Sequence, residues 1–459
     1  MPRRPASPLD PLLSAPAVRA AAEALVAAVT DEARKRSLDP GAYGRALREL
    51  GRLRGRPLLF PALSSGTGSG AWVRLADGRE LLDFIGGIGV YGLGHAERDL
   101  LATAAVAAAA DSVYQGHLLP GPEYLRLSRA LRRHAGRRLR HVWLSTCGAM
   151  ANENALKMIL QKRAPADRIV VFERAFAGRT TTLAELTDKP AYREGLPLRG
   201  NVLHVPFYDP DDPRSTERSL ATLDAHLARH PSQVAAMMFE LVQGEGGVRT
   251  APRSFFATLM ERCRSAGLAV FVDEVQTFAR TGELFAFRTL GLEEYVDVAT
   301  AGKVLQGAAT LFSKAYAPRE GLVAGTYAGS TVGLAVGARI VERLEREGYL
   351  GASGRIAALG HDVARRVLAL RRKLPRAVGE HTGVGAMHAV TPFDGSPALL
   401  SAVLRAAFDE GLLVFGAGSH PSRLRMLLPV NVTQDELDAG FAMLERALRR
   451  VADEKGIAC

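Results

Sequence analysis

Cysteine is scarce in this chain, and its scarcity argues against two kinds of structure. The 459 residues contain three cysteines, Cys147, Cys263 and Cys459. Their odd number and wide spacing indicate neither a disulfide framework nor a metal-ligand pattern, and they are typical of a reducing cytoplasm. No apolar run approaches the ~18 residues that a membrane-spanning helix needs. We therefore expect a cytoplasmic protein with no bound metal and no membrane partner.

Aromatic residues are also few, and this bears on the meaning of the positive charge. The formal net charge is +11, whereas aromatic residues make up 6% of the chain. A surface for single-stranded nucleic acid interleaves aromatic rings with basic residues, but the arginines here are scattered over predicted helices. We interpret the charge as a solvated, arginine-rich surface and predict no nucleic-acid partner.

Alternating strands and helices dominate the chain from about residue 140. Near-continuous apolar strands such as VAAMMFELV and LAVFVD are separated by amphipathic helices such as SFFATLMERCRSAG. This alternation is typical of a mostly parallel sheet covered by helices on both faces. The sequence therefore predicts an α/β protein.

The order of the segments divides the chain into four parts. Residues 1–55 form a helical N-terminal extension without a chemical motif. Residues 56–110, with short strands and a glycine-rich loop, form the N-terminal part of a small domain. Residues 111–345 form the large domain, and residues 346–459 form the C-terminal part of the small α+β domain.

One stretch combines a buried strand with charged residues. The apolar run from Leu268 to Val272 ends on two carboxylates, Asp273 and Glu274, and Lys303 follows the next apolar segment. An acid at the carboxyl end of a central parallel strand points to the crevice where open α/β sheets bind ligands. A buried acid and lysine there form either a structural ion pair or the two poles of a pyridoxal phosphate site. These residues alone leave both interpretations open.

Other strand ends carry candidate binding residues. The small residues 146–149 precede a helix whose first N–H groups could bind a phosphate. A ring at Phe176 could stack on a flat cofactor and Arg179 could bind a carboxylate, although alone they are more typical of a core ring and a surface arginine. Glu245 lies in a glycine-lined turn. Arg425 lies in an apolar strand and needs an anion, from either the protein or a substrate.

Taken in order, these segments resemble the class III aminotransferases, fold-type I pyridoxal phosphate enzymes that include ornithine, acetylornithine, 4-aminobutyrate and lysine 6-aminotransferases. The resemblance runs from about residue 56 to 445. Its strongest carriers are FELVQGEGG, VFVDEVQTFARTGELFAF and DVATAGK, supported by LLDFIGGIGVYGLGH, GAMANENALK, AFAGRT, GTYAGSTVGLA and LRMLLPVNVTQDELD. It implies a mostly parallel central sheet with a smaller α+β domain made from the N- and C-terminal parts.

The resemblance assigns the catalytic pair and the residues around the cofactor ring. Lys303 would form the Schiff base with pyridoxal 5'-phosphate and then move the proton. Asp273 would hold the pyridinium nitrogen, Val275 would pack beneath the ring, and Gln276 would hydrogen-bond the phenolic oxygen.

The resemblance also assigns the phosphate end of the cofactor. Gly148 and Ala149 would supply phosphate-binding N–H groups, and Phe176 would stack on the ring. Thr326 would reach the phosphate from the neighbouring subunit, which implies a homodimer with a shared active site.

Four further residues would contact the substrates. By resemblance, Arg425 binds an α-carboxylate, and Glu245 pairs with it when the carboxylate-free end of an amine occupies the site. Arg179 would bind the distal carboxylate of 2-oxoglutarate. Ile88 stands where ornithine aminotransferase carries a substrate-contacting tyrosine, which argues against ornithine itself.

Several positions depart from the family pattern, and these departures bear on which substrates the site accepts. Ala177 stands where histidine is usual, Met150 where glutamate is usual, and Cys147 where serine or threonine is usual. Residues 305–309 replace a glycine-rich run, and residues 330–331 replace Asn-Pro.

The resemblance predicts an aminotransferase that moves an amino group from an ω-amine or basic amino acid to 2-oxoglutarate. The partners would be a small-molecule donor and a keto-acid acceptor. Two alternatives stay open at this point: a racemase or aminomutase of the same family, and a non-catalytic binding protein on this scaffold.

Overall fold

A seven-stranded sheet forms the centre of the computed structural model, which describes residues 15–58, 60–110 and 118–458. Numbered along the chain, the strands are β1 Ser64–Ser69, β2 Trp72–Leu75, β3 Glu80–Asp83, β4 His141–Ser145, β5 Arg168–Phe172, β6 Val202–Val205, β7 Val234–Phe239, β8 Val242–Gln243, β9 Arg249–Thr250, β10 Ala269–Glu274, β11 Val298–Ala301, β12 Ala308–Phe312, β13 Val378–Val384, β14 Met387–Pro392, β15 Leu412–Leu413, β16 Phe415–Ala417 and β17 Arg423–Leu427.

Helices connect most of these strands. Within the described residues, the α-helices are α1 Pro16–Arg34, α2 Pro40–Leu53, α3 Gly86–Gly89, α4 Arg98–Ala110, α5 Pro122–His134, α6 Gly148–Arg163, α7 Thr181–Leu186, α8 Ser215–Arg229, α9 Arg253–Ser265, α10 Ala286–Thr289, α11 Thr331–Arg346, α12 Arg355–Lys373, α13 Pro397–Asp409 and α14 Gln434–Lys455. Short 3₁₀ turns cover Pro190–Tyr192, Lys303–Leu305, Lys314–Tyr316 and Thr326–Gly329.

The central sheet is mostly parallel, as predicted. Its spatial order is β4-β12-β11-β10-β7-β5-β6. The pairs β11–β10, β10–β7, β7–β5 and β5–β6 are parallel. Strands β7 and β10 are buried along their whole length, because helices cover both faces and leave no polar side.

Strand β12 was not predicted from the sequence. It lies between β4 and β11 and is antiparallel to both. The tight turn at Lys303–Leu305 returns the chain directly after β11, which leaves no room for the crossover that a parallel strand requires.

Two four-stranded sheets join distant parts of the chain. One has the order β1-β2-β3-β15 and therefore combines residues near both ends of the chain. The other has the order β13-β14-β17-β16. The segment LLVFGAG divides at Val414 between the two sheets, since β15 pairs with β3 and β16 pairs with β17. The predicted domain boundaries remain predictions.

The N-terminal extension is helical in its described part. Helix α2 begins where Asp39 accepts a hydrogen bond from the Ala42 N–H and Pro40 occupies the first turn. Helix α1 packs Ala22 against α4, and Arg19 there binds Asp99. The sequence LLATAAVAAAADSVY predicts a helix over residues 100–114; helix α4 covers this segment as far as Ala110, and residues 111–114 lie outside the described residues.

A cluster of aromatic rings fixes α9 against the central sheet. Phe172 at the end of β5 packs edge-on against Phe207 at 5.1 Å and Phe239 at 5.6 Å between ring centroids. Phe255 and Phe256 of α9 complete the cluster. Such ring pairs contribute about 0.5–1.5 kcal/mol each beyond area burial, and they hold the strands whose ends carry the site described below.

None of the helices in the described ranges combines the length and apolar character needed to cross a membrane. Over the same ranges, no three His, Cys, Asp or Glu side chains are grouped to bind a metal ion.

The last helix begins with the capping box predicted from the sequence. Thr433 Oγ1 accepts the Glu436 N–H at 3.2 Å, and Glu436 Oε2 accepts the Thr433 N–H at 2.9 Å. Glu436 also accepts the Ala71 N–H at 3.2 Å, which connects the last helix to the segment between β1 and β2.

We expect Thr433→Ala to lower the free energy of unfolding by about 1 kcal/mol, because the substitution removes the hydroxyl oxygen that accepts the Glu436 N–H. The measurement is the Tm of the holoenzyme. Ser401→Ala, an exposed serine within α13, is the control and should stay within about 0.5 kcal/mol of the wild type. Equal Tm values for the two variants would contradict this role of the cap.

Candidate active site

A cavity of about 650 Å³ opens at the carboxyl ends of the central strands. Its walls come from the segments that follow β4, β5, β7, β10 and β11, and it is lined by Val90, Tyr91, Thr146, Cys147, Gly148, Ala149, Asn152, Phe176, Ala177, Gly178, Arg179, Glu240, Val242, Glu245, Asp273, Val275, Gln276, Thr277, Lys303, Gln306 and Gly307. Open α/β sheets bind ligands at this edge. The structure thus brings together nine of the residues predicted from the sequence.

Asp273 lies at the floor of this cavity and is held by two donors. Its Oδ2 accepts a hydrogen bond from Asn152 Nδ2 at 2.7 Å, and its Oδ1 accepts the Val275 N–H at 2.8 Å. Thr300 Oγ1 donates to Asn152 Oδ1 at 2.7 Å and thereby fixes the amide. Burial raises the pKa of Asp273, while these donors and the Lys303 charge act in the opposite direction. Each carboxylate oxygen keeps capacity to accept one more donor.

The neighbouring acid has a different role. Glu274 is fully buried and accepts hydrogen bonds from the N–H groups of Ala286 and Phe287, both at 2.9 Å, and from the Thr277 hydroxyl. Burial raises the pKa of Glu274 to about 7 despite these donors. Because its acceptors are used within the protein and it does not line the cavity, Glu274 holds the loop after β10.

Lys303 faces Asp273 across the cavity without an ion pair between them. Both side chains line the cavity, and the ion pairs among the described residues do not include this one. Burial lowers the pKa of Lys303, opposed by Asp273 and Glu245 and reinforced by Arg280 and Arg425. The geometry therefore favours two poles of one site over a structural ion pair.

The backbone of Lys303 is itself unusual. Its φ of 51° lies in the left-handed region, which costs a non-glycine residue about 1–2 kcal/mol. Such conformations concentrate at functional sites, where surrounding packing holds them.

The start of α6 leaves N–H groups open toward the cavity. Cys147 precedes the helix without a side-chain cap, so the first N–H groups receive no acceptor from it. A Cβ at Gly148 would stand 2.6 Å from Val275 Cγ1, so only glycine fits between this turn and the strand end. Together with Ala149, the turn has the chemistry of a phosphate site at a helix N-terminus.

Arg425 and Glu245 form a buried pair at another wall. Arg425 is fully buried, and its Nη1 donates to Glu245 Oε1 at 2.6 Å and to Gln276 Oε1 at 3.2 Å. Burial alone would raise the pKa of Glu245, but the Arg425 charge and hydrogen bond outweigh it and hold the pKa low. Arg425 Nε and Nη2 are buried and have no partner, so one edge of the guanidinium remains open to an acceptor.

Phe176 and Arg179 meet a residue that the sequence did not indicate. The Tyr192 ring lies edge-on to Phe176 at 6.4 Å between centroids, and the Arg179 guanidinium lies 4.0 Å above the Tyr192 centroid. Lys189 Nζ donates to the Tyr192 hydroxyl at 3.0 Å. Two cations therefore flank one ring beside the cavity, and no described carboxylate pairs with either.

Three further buried polar residues contribute to the site, and sequence reasoning missed two of them, Asn152 and Thr300. Asn152 and Thr300 position Asp273 as described. Glu240 lines the cavity, accepts the Phe176 N–H at 2.7 Å, and has a pKa raised well above its ordinary value by burial and then by Asp273. An asparagine within an apolar helix face was the available signal for Asn152, since a buried amide needs partners.

A second buried cation is Arg280. It is fully buried, and it donates to the carbonyls of Gly89 at 2.6 Å and Gln276 at 3.3 Å. Burial lowers the pKa of Arg280 to about 9. No feature of its sequence position distinguished it from the other arginines.

Three predicted site residues are not among those that line the cavity: Thr326, Ile88 and the fully buried Arg425, which contacts the lining residues Glu245 and Gln276. Thr326 is exposed, and Ile88 is 39% exposed with a left-handed φ of 58°. Of the positions that depart from the family pattern, Cys147 and Ala177 line the cavity and Met150 is exposed. Asn152 donates to the carbonyl of Ala177 at 2.8 Å, a contact that needs no side chain at that position.

Comparison with known proteins places the chain in one family. The model of the class-III aminotransferases matches residues 60–448. The 2-aminoadipate transaminase of Pseudomonas putida is 31% identical over 417 residues, which cover 84% of this chain and 95% of that protein. The acetylornithine aminotransferase of Thermosynechococcus vestitus is 31% identical over 402 residues, covering 84% and 92%.

A solved structure shows the same fold. The lysine aminotransferase from M. tuberculosis in the internal aldimine form superposes with a TM-score of 0.78 at 24% identity, covering 88% of this chain and 99% of that one. The fold-type I architecture predicted from the sequence is thereby confirmed.

The chain belongs to the class-III aminotransferase family. It is a pyridoxal phosphate-dependent transaminase, and its substrates are an amino donor and a keto-acid acceptor. These findings confirm the family, the enzyme class and the cofactor predicted from the sequence. The cavity fits that cofactor, since it presents a carboxylate at one end and uncapped helix N–H groups at the other.

We expect Thr300→Val to weaken cofactor binding about fivefold, because Asn152 loses the hydrogen bond that orients it toward Asp273. The measurement is the Kd for pyridoxal phosphate by spectroscopic titration. Thr310→Val is the matched control: Thr310 is also buried, and it donates to the Ala151 carbonyl at 2.8 Å from the adjacent strand. A similar loss of cofactor affinity in both variants would show that the effect is general destabilisation.

Proposed function

We propose that this enzyme transfers the amino group of an ω-amine or basic amino acid to 2-oxoglutarate, through a covalent link between Lys303 and pyridoxal phosphate. The observation that carries the proposal is the buried Arg425, paired with Glu245 yet with two nitrogens, Nε and Nη2, left without acceptors. The name of one relative agrees with such a donor, since acetylornithine carries its free amine at the end of the chain away from the carboxylate.

Pyridoxal phosphate, when bound, supplies an electron sink that stabilises negative charge on the carbon bearing the amine. In the proposed arrangement Asp273 would hold the ring nitrogen, and Val275 and Phe176 would pack against the ring. Gln276 would donate to the phenolic oxygen. The uncapped turn at Gly148 and Ala149 would bind the phosphate.

Lys303 Nζ is the proposed base. Burial and the two neighbouring arginines lower its pKa, so a larger fraction of its amine is neutral and able to accept a proton. Once released from the cofactor, its nitrogen would move the proton from the amine-bearing carbon of the donor to the cofactor, and would move a proton in the reverse direction when the keto acid takes up the amino group.

The Arg425–Glu245 pair is proposed to switch between substrates. Removing one partner of a buried ion pair costs about 3–5 kcal/mol. Arg425 therefore stays paired with Glu245 when the end of the substrate that lies beside it has no carboxylate. A substrate carboxylate can replace Glu245 and also use the free Nε and Nη2 donors. One site then accepts both an amine end and a carboxylate end.

Arg179 and Lys189 support the choice of a dicarboxylic acceptor. Both cations lie against Tyr192, and neither is neutralised by a described carboxylate. Lys189 also acts on Glu245, lowering its pKa together with the larger effect of Arg425. A distal carboxylate would supply the missing negative charge.

The enzyme is proposed to act as a homodimer. Thr326 is exposed and does not line the cavity of its own chain, which agrees with a contact to the phosphate from the partner subunit. The cytoplasmic location remains the expectation drawn from the cysteine content.

We expect Lys303→Ala to reduce transamination by at least about 10²-fold and to abolish the yellow absorbance of covalently bound cofactor. Lys314→Ala, which removes an exposed lysine after β12, should change neither. The measurements are absorbance after incubation with pyridoxal phosphate and glutamate production. Identical colourless spectra for wild type and Lys303→Ala would refute the assignment.

We expect Arg179→Gln and Lys189→Gln each to raise the KM for 2-oxoglutarate about tenfold, because each removes one charged contact to the distal carboxylate. The KM for pyruvate, which lacks that carboxylate, should not change. Lys162→Gln removes an exposed charge at the end of α6 and serves as the control.

Equal effects on both keto acids would show that these cations do not select the distal carboxylate. A panel of amines that yields no glutamate from 2-oxoglutarate would instead favour a racemase or aminomutase.

A further inference from the structure

A second cavity of about 530 Å³ lies on the other side of the hairpin that carries Glu245. Strands β8 and β9 form this hairpin, and its Gly246 lines the second cavity while Glu245 lines the first. The two cavities share no lining residue. The second cavity is therefore separate from the proposed transamination site.

Three arginines from different parts of the fold line this second cavity. Arg174 follows β5, Arg249 begins β9, and Arg423 begins β17. Three guanidinium groups repel one another, and a fold brings them together at a cost unless anions neutralise them.

Arg423 has such an anion within the chain. It is 4% exposed, forms an ion pair with Glu380, and donates to Thr382 Oγ1 at 2.7 Å and to the Gly247 carbonyl at 3.1 Å. Its charge is neutralised and its geometry is fixed.

Arg249 has only neutral acceptors. Its Nη1 donates to Gln243 Oε1 at 3.4 Å and its Nη2 to the Tyr208 carbonyl at 3.1 Å, while its guanidinium lies 5.0 Å from the Phe207 ring centroid. Burial and then the charges of Arg174 and Arg423 lower the pKa of Arg249 to about 10. The nearby acid Asp209 opposes this effect and does not overcome it.

Arg174 has no ion pair either among the described residues. Its backbone N–H donates to Asp188 Oδ2 at 2.7 Å, and its φ of 63° directs the chain sharply after β5. The acids on the cavity wall other than Glu380 are Asp209 and Asp211, and neither forms an ion pair with an arginine there. Asp211 is exposed to solvent.

We propose that this second cavity binds a small phosphate-type oxyanion between Arg174 and Arg249. Guanidinium groups bind such oxygens bidentately, and two of them on one cavity wall can contact different oxygens of the same phosphate. The cavity has room for a substituent beyond the phosphate, so the source is either free phosphate or a small phosphomonoester.

The test is isothermal titration of the holoenzyme in phosphate-free buffer with inorganic phosphate, and separately with glycerol 3-phosphate. We expect one saturable site per chain. Arg174→Gln and Arg249→Gln should each weaken it about tenfold or more. Arg229→Gln, an exposed arginine of α8, and Arg179→Gln in the first cavity should leave it unchanged.

If Arg249→Gln does not fold, Arg174→Gln still tests phosphate binding, because no described hydrogen bond or ion pair depends on the Arg174 guanidinium. Tighter binding of glycerol 3-phosphate would identify an ester as the ligand, and equal or weaker binding would identify free phosphate. Absence of saturable binding, or binding that Arg174→Gln leaves intact, would overturn the proposal. Neither result depends on transamination.

Discussion

The rest of the site depends on one constraint, the burial of the Asp273 carboxylate. An unpaired carboxylate inside a protein costs several kcal/mol, and the structure offsets part of this cost with Asn152 and the Val275 N–H. These donors are neutral, so the negative charge itself is not compensated by a contacting cation. The pKa of Asp273 is raised as a result, and a protonated ring nitrogen is the group that would stabilise the charged form.

The same reasoning extends to the cations around it. Lys303 lines the cavity without an ion pair, Arg280 donates only to carbonyls, and Arg425 uses one nitrogen for Glu245. Among the described residues, Lys303 and Arg280 have no ion pair and Arg425 keeps two nitrogens without acceptors. Together with the uncompensated Asp273, these cations suit ligands that carry charge of both signs. An amino acid, a keto acid and a phosphorylated cofactor all satisfy that description.

Several residues at the substrate side depart from the family pattern, yet the geometry explains why the centre tolerates them. Asn152 contacts Ala177 through its backbone carbonyl, so the usual histidine is not needed for that hydrogen bond. The steric fit between Gly148 and Val275 is independent of Met150, whose side chain is exposed. The substitutions therefore lie where they alter the walls without disturbing Asp273 or Lys303.

The sequence by itself determined the family and the parallel character of the central sheet, and it predicted that Asp273 and Lys303 lie at the same edge of that sheet. These predictions rest on local patterns, because an apolar strand and the charged residue that follows it are neighbours in the chain. The tertiary structure decided which charges meet. Asn152 reaches Asp273 across 121 positions, and Arg425 reaches Glu245 across 180. The same holds for the three arginines of the second cavity, because long-range packing leaves no local pattern that a single sequence displays.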